Sequence, residues 1–191
     1  MSLHPKTLFR GQAVSDWGLR PSFARIATES ALSRTQALQL EREGINKFSI
    51  SARAQFAIEQ VVSLIQVAGG IDFEGWSVLM QHYSAPTRTL DWSMSPWVAL
   101  YFACNSHEDS DGAVWLADFH KVDQSARRLI GDKNVREMSI DPSSDDVVYF
   151  SMAFNSHERI EAQQGRFSVS TNPLADHTEL LEASGSLQKI I

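Results

Sequence analysis

The chain has 191 residues, 43% of them hydrophobic and 21% charged, with a formal net charge of −6. These proportions exclude a disordered chain, and the acidic balance excludes a domain that grips nucleic acid through its phosphates alone. The single cysteine, Cys104, excludes an internal disulfide and suits a reducing compartment. No window approaches about eighteen apolar residues, and the opening "MSLHPKTLFRG" lacks the apolar centre of a signal peptide. A soluble, cytoplasmic protein with no membrane partner and no strong nucleic-acid signature is expected.

"TLFRGQ" reads as a short strand that Gly11 stops, and "WGLRPSFAR" as irregular chain broken by Gly18 and Pro21. Residues 33–68 carry apolar side chains at helical spacing behind Ser33, with Gly44 as a place where the helix bends or divides. "GG" at 69–70 ends that segment, and a further helix follows Asp72 up to about His82. "APTRTLDW" reads as extended chain, because Pro86 disfavours helix before it and Thr87, Thr89 and Trp92 suit a strand. Ser95 and Pro96 form a strong helix start, and the apolar helix "WVALYFAC" places Cys104 as a buried, inert thiol. The strand "AVWLAD" follows, then a short helix over 122–130 and a long polar connection over 131–146. "VVYFSMAF" and "RIEAQQGRFSVS" read as a late strand pair, 173–183 as a helix, and "SLQKII" as a strand.

This pattern predicts a single α+β domain over residues 1–191. Its core is a mixed or antiparallel sheet, with a helical block at about 33–82 inserted after the first strand. Strands and helices do not alternate regularly, and neither common glycine-rich phosphate loop occurs. The six histidines are scattered, so no metal site is expected.

Three stretches carry the chemistry. In "FRGQ", Arg10 is a planar, two-pronged donor, and Gly11 leaves room for a ligand to approach the backbone; the plainer reading is a surface arginine beside a turn. In "HYSAPTRTLDW", the spacing of Arg88 and Asp91 allows an internal ion pair supported by Thr87, Thr89, Tyr83 and His82. That cluster is either a binding site or a polar network that ties the turn, and the helix start at Ser95 behind it offers N–H groups to an anion. In "RIEAQQGRFSV", Glu161 and Gln163 share one face if the segment is a strand, either at a site or at a solvated edge.

Together these stretches resemble the FRG domain family, named for its Phe/Tyr-Arg-Gly signature. The central block is similar to that family's His-Tyr-Gly-x-Pro-Thr-Arg-Leu-Leu-Asp-Trp-Thr motif, with Ser84 for the glycine and Thr89 for the first leucine. The resemblance runs from Leu8 to about Ile191. Family sequences continue into a further strand, helix and "FPDL"-like segment, so the chain is expected to lack the family's usual C-terminal part.

A second, weaker resemblance is one of order: an early aromatic-Arg-Gly strand, a middle turn feeding "ALYFA", and a late Glu-x-Gln are similar to the parts of ADP-ribosyltransferases. It implies an ADP-ribosyltransferase-like fold and NAD as substrate, with Arg10 on its phosphate or ribose and Asp91, Ser93 and Ser95 in the middle region. Glu161 or Gln163 would take the place of the glutamate that polarises a ribose hydroxyl. Gln163 lacks the charge this requires, which would pass catalysis to Glu161, to Asp91, or to nothing. The activity implied is NAD-dependent ADP-ribosyl transfer or NAD glycohydrolysis, as in a bacterial toxin or phage-defence effector, with a nucleotide-like small molecule as partner and an acceptor macromolecule of unspecified kind. The alternative is a non-catalytic module that binds a nucleotide or phosphate ligand. The catalytic candidates are thus Glu161, Gln163 and Asp91, and the ligand-binding ones Arg10, Gly11, His82, Tyr83, Arg88 and Ser95.

Overall fold

A computed structural model describes residues 7–55, 73–107, 109–151 and 165–191. In chain order its elements are β1 (Thr7–Gln12), α1 (Ser22–Glu29), α2 (Arg34–Gln55), α3 (Phe73–His82), β2 (Thr89–Ser93), α4 (Pro96–Cys104), β3 (Ala113–Asp118), α5 (Phe119–Ile130), α6 (Val135–Met138), β4 (Val148–Ser151), β5 (Gly165–Ser170), α7 (His177–Ala183) and β6 (Leu187–Ile190). The six strands form one antiparallel sheet in the order β4-β5-β2-β1-β3-β6. This is the α+β domain that the pattern of elements predicts, with helices inserted between the first two strands.

Strand alternation gives the sheet two different faces. On one, Leu8, Leu90, Trp92 and Trp115 pack with Val122 of α5 and Leu181 of α7 into the main apolar cluster. Each such buried side chain contributes about 1.5–3 kcal/mol. On the other face α4 lies across β1 and β3 at a distance that only glycine permits. A Cβ on Gly11 would sit 1.8 Å from the Ala99 carbonyl oxygen, and one on Gly112 would sit 2.2 Å from that of Ala103. Gly11 therefore accommodates a helix, a role the sequence did not point to.

Helix α4 is apolar all round, so seating Ala99 and Ala103 against the sheet turns Trp97, Leu100, Tyr101 and Cys104 outward. The thiol expected to be buried is exposed for that reason. Helix α2 runs unbroken through Gly44 to Gln55, and the rest of the expected 33–68 helix lies outside the described residues. Helix α1 arises where irregular chain was expected. Pro21 stands at its N-cap, and Phe23, Ala24 and Ala27 make a buried face that packs on Ala37 of α2. Similarly, α6 interrupts the polar connection because Asn134 caps it and Met138 packs with Ala126 and Val147.

Arg88 ties these layers together. It lies just before β2 on the apolar side of the strand, 1% exposed, against Glu41 of α2 at 6%. Its Nε donates to Glu41 Oε1 at 2.8 Å and its Nη2 to Glu41 Oε2. Its Nη1 donates to the carbonyls of Ser139, Ser170 and Thr171 at 3.1, 3.2 and 3.1 Å. Burial pushes the Glu41 pKa up and the Arg88 hydrogen bonds and charge oppose that shift. A second buried network joins the Trp92 indole to Ser168 Oγ at 2.9 Å, and that oxygen to His177 Nδ1 at 2.9 Å.

Three outcomes follow from this packing. Gly11→Ala should cost at least about 3 kcal/mol of stability, whereas Gly44→Ala, with open space around its Cβ, should add about 0.5–1 kcal/mol; urea unfolding midpoints compare them. Glu41→Gln should cost about 3–5 kcal/mol, because it leaves the Arg88 charge buried without its counter-ion. Replacing Arg127 of the exposed Arg127–Asp123 pair should leave the midpoint unchanged.

A fourth outcome concerns His177, whose pKa desolvation lowers from 6.5 to about 3. Between those values the unfolded chain takes up a proton that the folded chain does not. Stability then falls on acidification through that window, by on the order of 1 kcal/mol per pH unit. His177→Asn should flatten this component of the slope relative to the parent chain, read as unfolding midpoint against pH.

Candidate functional site

Strand β2 sorts its side chains by parity. Even positions, Leu90 and Trp92, enter the apolar cluster; odd positions, Thr89, Asp91 and Ser93, face the side where α3 and α4 lie. Between that face and the two helices is a cavity of about 430 Å³, within the range of ~300–1,000 Å³ usual for small-molecule sites. Phe9 and Phe167 wall it from the sheet, Val98 and Phe102 from α4, and Val78, Gln81 and His82 from α3.

The same parity separates Arg88 from Asp91, three residues apart and therefore on opposite faces. The expected ion pair between them does not form, and Arg88 is held by Glu41 instead. Of the ligand-binding candidates, Arg10, Gly11 and His82 line the cavity, as does Asp91 among the catalytic ones. Arg88, Tyr83 and Ser95 do not. Tyr83 is an exposed ring leaning on Phe48 of α2 and edge-on to His82. Ser95 caps α4 with its backbone, its N–H donating to Ser93 Oγ at 3.0 Å, and the flank of α4 borders the cavity rather than its N-terminus. Glu161 and Gln163 lie outside the described residues, as does the strand expected around them up to Gly165, where β5 begins and itself lines the cavity.

Arg10 occupies an unusual place. β1 runs in register with β3 along its whole length, but with β2 it is in register only at Phe9 and Ser93 among the described residues. Where β1 and β2 part, Arg10 Nη1 donates to the Asp91 carbonyl at 2.8 Å and bridges the gap. Its Nε is buried without a hydrogen-bond partner among the described residues. Desolvation lowers the Arg10 pKa, the Asp91 charge opposes that effect, and Arg25 adds to it.

Asp91 is exposed to solvent on the cavity side, with the sheet and α3 around it. Desolvation raises its pKa above the ordinary carboxylate value, while the Arg10 charge and a hydrogen bond from Gln81 pull it down. Gln81 Nε2 donates to Asp91 Oδ2 at 2.5 Å. Nothing in the sequence reading picked out Gln81. Its helical spacing from Val78, beside His82, was the signal available.

Ser84, also on the cavity wall, has φ of 59° just past the end of α3, with its N–H donating to the Gln81 carbonyl at 2.9 Å. A left-handed residue closing a helix is most often glycine, which accounts for the glycine at this place in the motif that the sequence resembles. Among the described residues no three His, Cys, Asp or Glu side chains gather as a metal site, and no described helix is long and apolar enough to cross a membrane.

No curated protein and no solved structure matches the chain. A family model for the FRG domain matches residues 5–112, more than half the chain. The match takes in the Phe-Arg-Gly strand, the His-Tyr to Asp-Trp block and helix α4, and stops before the late "RIEAQQGRFSV" segment. With its signature residues in β1 and its motif supplying the end of α3 and the whole of β2, the chain belongs to the FRG domain family.

Proposed function

We propose that the cavity binds the nicotinamide-ribose end of NAD and that the protein cleaves its glycosidic bond, transferring ADP-ribose to an acceptor or to water. The observation that carries this reading is the placing of a carboxylate whose pKa desolvation raises, Asp91, on a cavity wall whose described lining also includes Phe9, Phe102 and Phe167. The bond from ribose C1′ to the nicotinamide nitrogen breaks, and its electron pair leaves with the ring, which becomes neutral. Positive charge develops at C1′, where a nearby carboxylate stabilises it. The oxygen or nitrogen of the acceptor then bonds to C1′ and gives up its proton, for which His82 at the cavity wall is the candidate base. Phe9, Phe102 and Phe167 suit a flat ring, and Arg10, behind the strand at the seam, adds positive charge at longer range.

The second reading, a module that binds a nucleotide without turning it over, is favoured by the apolar character of the walls and by the absence of a second carboxylate among the described lining residues. One experiment separates the two. Incubation with NAD, followed by chromatography, should show nicotinamide release that falls at least about 100-fold in Asp91→Asn. The rate should also drop on acidification with an apparent pKa above that of an ordinary aspartate, because protonation removes the charge and desolvation favours the proton. Saturable NAD binding by calorimetry without release would establish the second reading. Neither binding nor release would overturn both.

A further inference from the structure

The Asp91 carboxylate is held by a relay that begins in the motif itself. Gln81 Oε1 meets Thr87 Oγ1 at 3.2 Å and Thr89 Oγ1 at hydrogen-bonding distance, and the two hydroxyls lie 2.7 Å apart. Each hydroxyl has one proton, so whichever way they point, at least one donates to Gln81 Oε1. A carboxylate only accepts, so the amide nitrogen must face Asp91, and it does, at 2.5 Å from Oδ2. Both ends of the Gln81 amide are thus fixed, one by two buried threonines and the other by the carboxylate.

We propose that Gln81 is the positioning residue of Asp91: locked by Thr87 and Thr89, it commits Oδ2 to its own N–H and leaves Oδ1 to meet a cationic or hydrogen-bond-donating group of the ligand. This rests on the cavity being a ligand site, and it narrows the ligand, since a group that only accepts hydrogen bonds would meet a negative oxygen there. Among the described residues, the charged and titratable neighbours of Asp91 are few. Arg10 lies behind it on β1, and His82 stands on α3 at the cavity wall. From β5 and α4 the lining residues are Gly165, Phe167, Val98, Ala99 and Phe102, none of them titratable.

The test is a carbon-13 NMR titration of the Asp91 carboxyl in the ligand-free full chain, its signal assigned by loss in Asp91→Asn. Gln81→Leu should raise the Asp91 pKa by about one unit through loss of the donor. Gln81→Glu has the same shape and still accepts from the threonines, but sets an oxygen against Oδ2. It should raise the pKa further and give the coupled two-step curve of a carboxylate pair. Thr89→Val, which loosens the lock without touching Asp91, should give a smaller rise.

A Gln81 of merely structural importance would tolerate Glu with no change in the Asp91 titration, and that result in a folded variant overturns the proposal. If Gln81→Leu fails to fold, Gln81→Glu and Thr89→Val decide the matter alone. The titration needs no substrate, so an absence of nicotinamide release from the parent chain would count against NAD cleavage and leave the assignment of Gln81 to be judged by its own curve.

Discussion

An arginine with its charge in the interior is what the architecture is organised around. Arg88 cannot be buried without a counter-ion, and the one it has, Glu41, comes from a helix 47 residues earlier in the chain. Its remaining donors go to carbonyls at the end of β5, just beyond it, and just after α6. Five hydrogen bonds from one guanidinium therefore connect the inserted helical block, the sheet and the connection before β4. An apolar side chain of similar volume could not replace it neutrally, because three backbone acceptors would lose their donor in the dry interior. In this fold the ion pair and the backbone satisfaction are one device.

That device also determines what the cavity can be. Placing Arg88 on the apolar side of its strand forces Thr87, Thr89, Asp91 and Ser93 onto the other side by simple alternation. The polar residues of the motif, which look like one cluster in the sequence, divide into a set that holds the fold and a set that faces the cavity. Thr87 belongs to both. Its backbone receives the Phe23 N–H and gives its own to Ser22, fastening the turn to α1, while its hydroxyl joins the chain leading to Asp91. The turn is well tied and the cavity is well furnished because the same few residues serve the two faces in strict succession.

Much of this was legible in the sequence, and what was not has a common cause. The strand at Thr7–Gln12, the helix begun by Ser95-Pro96, the strand at 113–118 and the described parts of the late pair, Val148–Ser151 and Gly165–Ser170, are set by local pattern and turn chemistry, and they fall where that pattern puts them. The long-range choices were hidden. Nothing in "LEREG" marks Glu41 as the partner of Arg88 rather than a solvated helix residue, and spacing made Asp91 the more natural candidate. Helix α1 was hidden because its buried face exists only once α2 lies beside it. The cavity walls were hidden because Phe102, Phe167 and Gln81 are brought together by sheet order, which local periodicity does not encode.

The signature Phe-Arg-Gly shows how far a motif can be read before its surroundings are known. Read alone it is a donor beside an open backbone, which suggests three residues with one purpose. In the fold they do three different things. Phe9 walls the cavity, Arg10 closes the seam where β1 and β2 diverge, and Gly11 admits helix α4. These roles depend on one another in a definite order. Without Gly11 the helix could not approach, and α4 would not form the outer wall; without that wall, the carboxylate beside the seam would lose part of the protein that desolvates it. The short ladder between β1 and β2 leaves the Asp91 carbonyl to Arg10, which brings a positive charge up behind the strand and partly offsets the desolvation of the carboxylate. A glycine chosen for helix packing thus sets the electrostatics of a cavity whose charged groups it does not touch.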